Sequence, residues 1–129
     1  MPADPTPTAS VYQVVERYGA GKFQISGLSY QSSVLVFPER TVSWPVADFA
    51  DIDDTALAPV LAESQASMGI ELLLLGCGTR MQLVNQALRA PLRAAGIVIE
   101  PMDTGAAART FNLLLSEDRR VAAALIVLP

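Results

Sequence analysis

The chain of 129 residues contains no histidine. That gap removes every mechanism in which imidazole carries a proton, the Ser-His-Asp and Cys-His arrangements included, and every zinc or iron site that needs a ring nitrogen. A single cysteine, Cys77, rules out an intrachain disulfide, a CxxC redox pair and a thiolate cage. A metal would have to be held by oxygen ligands alone; the expectation is that the chain uses no metal and no cofactor. No apolar run approaches the roughly 18 residues needed to cross a bilayer; the longest, LLLLG and VAAALIVL, have the length of buried strands. The amino end, MPADPTPTAS, has neither the apolar centre of a secretory signal nor the arginines of a transit peptide. It reads as a disordered tail over residues 1–10, ahead of a single domain at 11–129, and a cytoplasmic location is the expectation.

Charge and aromatics are also scarce. Charged residues make up 17% of the chain and the formal net charge is -4, the wrong sign for neutralising a phosphate backbone, so nucleic acid is not an expected partner. Aromatics contribute 6% against 51% hydrophobic residues. The core must therefore be built from Leu, Val, Ile and Ala at high packing density, with the sole tryptophan, Trp44, in or beside it. A chain of this length suits one such core.

The segment from Val11 to Pro45 consists of short apolar runs separated by turn residues: YQVVERYGAG, KFQISG, LSYQSS, VLVFPER, TVSW. Alternation in KFQIS and TVSW, with Gly19, Gly21 and Gly27 available for tight turns, predicts an antiparallel meander. Pro38 and Pro45 close strands because proline cannot donate to a ladder. The rhythm then changes. DDTALAPVLAESQASMG reads as a helix capped by Asp53 or Asp54, with Pro59 either in its first turn or distorting it, and IELLLLG as a buried strand. LVNQALRAPLRAAG followed by IVIEPMD repeats the plan, with Leu88, Leu92 and Val84 on one face and Pro91 predicting a kink or a shortened helix. Gly69 and Gly96 end the two helices at matching places, as left-handed residues past a last turn do. A third unit, TGAAARTFNLLLSEDRR then VAAALIVL, completes the series. Successive helix-strand units predict crossovers, parallel strands and flanking helices, hence an α/β fold.

Several stretches carry polar side chains worth weighing. GCGTR, Gly76 to Arg80, follows a buried strand, where open α/β sheets bind ligands. As a dinucleotide fingerprint it has Gly76, Gly78 and an acid, Glu100, at the end of the next strand, but Met81 stands where the third glycine is needed. Cys77 between two glycines suggests a thiol at a strand end, with backbone N–H groups that would favour the thiolate; without histidine its base would be a carboxylate, a lysine or water. The acidic run Asp48, Asp51, Asp53 and Asp54 lacks the Gly and Glu of a calcium loop, whose places hold Ala56 and Ala62, and reads as capping and solvated surface. In MDTGAAARTFN, Asp103 is placed to cap a helix by accepting from Gly105 or Ala106, which counts against an anion site there. Ala107, Ala108, Phe111, Leu114 and Leu115 form an apolar band, and Gly105, Arg109, Asn112 and Ser116 a second face suited to fastening neighbouring segments or lining a cleft.

Taken together, MDTGAAARTFN, LLLLGCG, LRAPLRAAGI and YGAGKFQISG resemble a small domain family of unassigned biochemical activity, whose relatives include mitochondrial respiratory complex I assembly factor three and an adipogenesis-associated cytosolic protein. The resemblance runs from about Val11 to Leu128. Gly76 and Gly78 match its glycine pair, Met102, Asp103 and Thr104 its MDT, and Arg109, Thr110, Phe111 and Asn112 its final block; Cys77 and Phe111 stand where the family often has threonine and tyrosine. The resemblance implies a single three-layer β, β and α domain with a mixed central sheet, and a role in assembly or protein interaction. The expectation is thus a non-enzymatic domain with a protein partner and possible self-association through a sheet edge. Its candidate surface is Gly76, Cys77, Gly78, Arg80, Asp103, Thr104, Arg109 and Asn112, and the alternative is a small-ligand or enzymatic site built from the same residues.

Overall fold

The computed structural model describes residues 12–66 and 69–129; the tail expected at 1–10 lies outside the described residues. Three short strands, β1 (Val15–Gly19), β2 (Lys22–Ile25) and β3 (Leu28–Tyr30), form an antiparallel meander. Both of its turns are two-residue loops with φ positive at each position, Ala20–Gly21 and Ser26–Gly27, the geometry whose twist matches that of paired strands.

The expected meander does not run on to Pro45. Strands β4 (Ser33–Val36) and β5 (Thr41–Trp44) leave it for a second, five-stranded sheet. The reason lies in SVLV, which is buried along its whole length. A strand apolar on both faces needs cover on both, and only the centre of a larger sheet supplies that. The turn of chain at Phe49–Asp51 and helix α1 (Asp54–Ala66) follow, then β6 (Leu72–Gly76), α2 (Gln86–Ala94), β7 (Val98–Met102), α3 (Thr104–Ser116) and β8 (Val121–Leu125). The sheet order is β5-β4-β8-β6-β7, with β6 parallel to both β7 and β8, and β4 antiparallel to β5 and β8.

Handedness then assigns the layers. The steps from β5 to β6 and from β6 to β7 move one way along the sheet, whereas the return from β7 to β8 passes back over β6. Right-handed crossovers therefore put α1 and α2 on one face and α3 on the other. Two separate cores confirm it. Leu57, Val60, Leu88 and Leu92 pack with Leu35, Leu73, Leu75 and Trp44 on the first face, while Ala107, Ala108, Phe111 and Leu115 pack with Val34, Val36, Leu74 and Val121 on the second. The meander joins α3 in that second layer through Val15, Phe23 and Ile25.

The two helix-strand repeats match in detail. Asp53 caps α1 and Asn85 caps α2 through side-chain oxygens that accept from Ala56 and Leu88. Pro59 and Pro91 each occupy the sixth position of their helix, inside rather than at its first turn, and neither ends it. Gly69 and Gly96 take φ of +88° and +84°, each followed by a buried isoleucine. Val84 lies ahead of α2 rather than on it, although it still packs on the same core. At the outer strand β7, Arg89 Nη1 donates to the Ile99 carbonyl at 2.8 Å, and Pro101 brings no N–H. That sheet edge is poorly suited to pairing with a second copy.

Phe111 is wholly buried between α3, the meander and the sheet. Phe111→Ala is expected to lower unfolding free energy by about 3–5 kcal/mol, measured by urea denaturation followed through the fluorescence of Trp44; a loss under about 1 kcal/mol would contradict this packing.

Candidate interaction site at the carboxyl ends of the parallel strands

Strand β6 leads to α2 on one face of the sheet and the adjacent β7 leads to α3 on the other. Their carboxyl ends therefore flank a switch point, the place where open α/β sheets take ligands. The structure brings Gly76, Cys77, Gly78, Asp103 and Thr104 together there. Arg80 leaves the cluster on an exposed loop, and Arg109 and Asn112 lie further along α3.

This crevice is filled by the protein's own bonds. The Thr104 hydroxyl donates to the Ile126 carbonyl at 2.7 Å and accepts from the Gly78 N–H at 2.9 Å, while the Thr104 N–H donates to the Gly78 carbonyl at 2.8 Å. The Cys77 N–H donates to the Met102 carbonyl at 2.8 Å and the Ile126 N–H to the Gly76 carbonyl at 3.0 Å. Such closeness dictates the glycines. A Cβ on Gly76 would lie 3.0 Å from both the Thr104 Cα and Leu125 Cδ2, and Gly78 holds φ at +103°, a conformation side chains disfavour.

Asp103 is the N-cap, in extended conformation, and its Oδ1 accepts from the Ala106 N–H at 2.8 Å. The Asp103 carbonyl takes the Ala107 N–H. Of the first-turn N–H groups that lack a helical partner, that of Thr104 goes to the Gly78 carbonyl and that of Ala106 to the Asp103 carboxylate, whose charge also opposes an anion there. Nor does the glycine pair open into a helix, since α2 begins only at Gln86. The dinucleotide geometry is absent, and the space that Met81 would have blocked is not a helix-strand contact at all.

Cys77 is buried, contrary to a thiol displayed at a strand end; its Sγ lies 3.5 Å from the Leu75 carbonyl. Burial pushes the thiol above its ordinary value, hydrogen bonding to the backbone at Gln82 and Met102 opposes this, and the charge of Asp103 adds to the rise. The thiolate is disfavoured where an attacking group would need it. Asn112 clamps the edge of the meander: its Oδ1 accepts from the Val15 N–H at 2.9 Å and its Nδ2 donates to the Val15 carbonyl at 2.9 Å. Arg109 donates to the hydroxyl of Tyr18. Beneath that pair, a Cβ on Gly105 would stand 3.0 Å from Tyr18 Cε1. The acidic run resolves into the Asp53 cap and solvated turns, and no group of three or more potential metal ligands occurs among the described residues.

The outward-facing part of the region is the loop after Gly78. Arg80 and Gln82 are exposed there, with Met81 at 52% and Leu83 at 85% of full exposure. Sequence reasoning named Thr104 as part of a motif and of the candidate surface but missed its bridging role. A β-branched residue of modest helix propensity directly after a cap was the available signal. Tyr18 and the buried Ser33, whose Oγ accepts from the Val127 N–H at 2.9 Å, had no local signal, because their partners are remote in sequence.

A family described as protein of unknown function (DUF498/DUF598) matches residues 15–126. The chain belongs to that family. An uncharacterized protein of Rhodobacter capsulatus is 36% identical over 115 residues, covering 89% of this chain and 85% of the relative. The NADH dehydrogenase [ubiquinone] 1 alpha subcomplex assembly factor 3 of Danio rerio is 36% identical over 122 residues, covering 94% of this chain and 68% of that one. Among solved structures, an outer membrane protein from Bartonella henselae superposes with a TM-score of 0.83 at 33% identity, covering 92% of this chain and 97% of the other. No helix among the described residues is long and apolar enough to cross a membrane.

Two measurements test this geometry. Thr104→Val is expected to cost roughly 2–4 kcal/mol, since it strands the Gly78 N–H and the Ile126 carbonyl, while Thr104→Ser costs clearly less because it keeps the hydroxyl; equal losses in urea titrations would show that packing, not the bridge, matters. Cys77 should react with a thiol reagent at neutral pH far more slowly than an exposed cysteine, and at full speed once urea unfolds the chain; fast labelling of the folded protein would contradict its burial.

Proposed function

We propose that this chain is a non-enzymatic, cytoplasmic protein-interaction domain of the assembly-factor type, which presents the carboxyl end of its parallel strands to a protein partner. The observation that carries this reading is the closed switch point. The Gly78, Thr104 and Ala106 N–H groups at that position are engaged within the protein, and the Cys77 thiol is buried, which disfavours its thiolate. A reaction centre needs a positioned base and open donors, and these residues supply fastening instead.

What remains accessible has the character of a contact surface. Met81 and Leu83 expose apolar side chains beside Arg80, a combination of apolar anchor and arginine that protein interfaces favour. The similarity to the Danio rerio assembly factor supports a protein partner over a small molecule. An enzymatic or small-ligand site in the same residues would require the Thr104 bridge to open.

The proposal is tested by two assays on the full chain. A thermal-shift screen against nucleotides and common metabolites is expected to leave the unfolding midpoint unchanged, whereas a true ligand at about 100 times its Kd would add about 2.7 kcal/mol, several degrees in Tm. In co-purification from native cells, Arg80→Ala with Leu83→Ser, both on the exposed loop, should abolish capture of a stoichiometric partner without changing the unfolding midpoint. A metabolite that stabilises the protein, together with capture indifferent to the loop, would overturn the reading.

A further inference from the structure

Strand pairing fixes which side chains of the meander face outward. Val15 pairs with Ile25, and Tyr18 and Tyr30 both pair with Phe23, on the side of the buried Phe23 and Ile25. Arg17 opposite Gln24, Gly19 opposite Lys22, and Gln24 opposite Ser29 therefore share the other face. A concavity of about 320 Å³ lies here, bordered by Arg17, Tyr18, Lys22, Gln24 and Ser29 among others. Arg17, Gln24 and Ser29 stand in one row across three strands. Lys22 lies diagonal to Arg17, beside Gly19, which has no side chain to interpose.

The chemistry of this row is one-sided. Each of the four outward side chains donates hydrogen bonds, and no carboxylate borders the concavity. Glu16, the nearest acid in sequence, instead takes the Gly27 N–H at 2.9 Å. Three other arginines do meet acids: Arg40 meets Glu63, and Arg119 and Arg120 meet Glu71. The side chains of Arg17 and Lys22 have neither hydrogen-bond nor ion-pair partners among the described residues. On a chain with net charge -4, two neighbouring cations are held together without a counter-charge, an arrangement that like-charge repulsion disfavours until an anion arrives.

We propose that this outer face of the meander docks an acidic segment of a partner protein, with carboxylates received by Arg17 and Lys22 and the contact completed by Gln24 and Ser29. Three strands span about 10 Å, wider than a single small anion and matched by carboxylates spaced along an extended chain. The overall negative charge of the protein works against a long polyanion such as nucleic acid. The inference rests on the protein-interaction reading above and names the chemistry of the partner. The meander itself adjoins the carboxyl-end region, since Tyr18 packs on Gly105 and the Gly21 N–H donates to the Leu128 carbonyl.

The test is an NMR titration of the nitrogen-15-labelled full chain with a short peptide of alternating glutamate and alanine, and with its glutamine counterpart. Saturable shifts at Arg17, Lys22, Gln24 and Ser29 are expected with the glutamate peptide alone, weakening as salt is raised. Arg17→Glu with Lys22→Glu should weaken binding about tenfold or more, whereas Arg93→Glu, exposed on α2, leaves it unchanged. The absence of saturable shifts on the wild-type chain would overturn the proposal. So would shifts mapping elsewhere, equal affinity for inorganic phosphate, or preference for phosphatidylglycerol vesicles or an oligonucleotide. Partner capture that survives the double reversal but not the loop variant would refute this docking face while leaving the wider function intact.

Discussion

One hydroxyl holds the carboxyl end of this fold together. Thr104 gives its proton to the Ile126 carbonyl and receives the Gly78 N–H, so a single buried side chain ties the exit of β6, the start of α3 and the continuation of β8. The neighbouring features follow from that tie. Gly76 must lack a Cβ because Thr104 sits against it, and Gly78 must turn with positive φ so that its N–H and carbonyl both reach Thr104. With the Thr104 side chain buried, each of these bonds matters chiefly because leaving a partner unpaired is costly.

The same bonds account for the polar content of α3. Asp103 caps, Thr104 bridges, Arg109 meets Tyr18 and Asn112 clamps Val15. What looks in one dimension like a dense set of reactive groups is, in three, a set of fasteners joining α3 to both sheets. The meander is thereby fixed to the helix by polar contacts at its edge as well as by Val15, Phe23 and Ile25 beneath. A function in presenting a surface suits such an arrangement, because it demands rigidity from the frame and chemistry from the exterior.

Charge is distributed with a corresponding asymmetry. Acids gather around the entry to α1, at Asp48, Asp51, Asp53 and Asp54, all exposed. The salt bridges of Arg40 with Glu63 and of Arg119 and Arg120 with Glu71 lie partly in solvent and contribute little to stability. Arg17 and Lys22 on the meander form no ion pair among the described residues. Surface charge of this kind sets which partner approaches and in what orientation more than it sets the fold.

The sequence by itself determined the elements. Periodicity placed the helices and the parallel strands, acid caps were readable at Asp53 or Asp54 and at Asp103 from their side-chain chemistry, and Gly69 and Gly96 marked helix ends, because each of these signals is local. It also limited the chemistry, since a chain without histidine and with one cysteine has few mechanisms open to it. Only the tertiary structure decided that the first five strands divide between two sheets, that Cys77 is buried, and that Asn112 and Thr104 bond to Val15 and Ile126, far away along the chain. Those outcomes depend on which surfaces meet after the crossovers choose their faces, and no run of neighbouring residues encodes the identity of a partner brought from the other end of the chain.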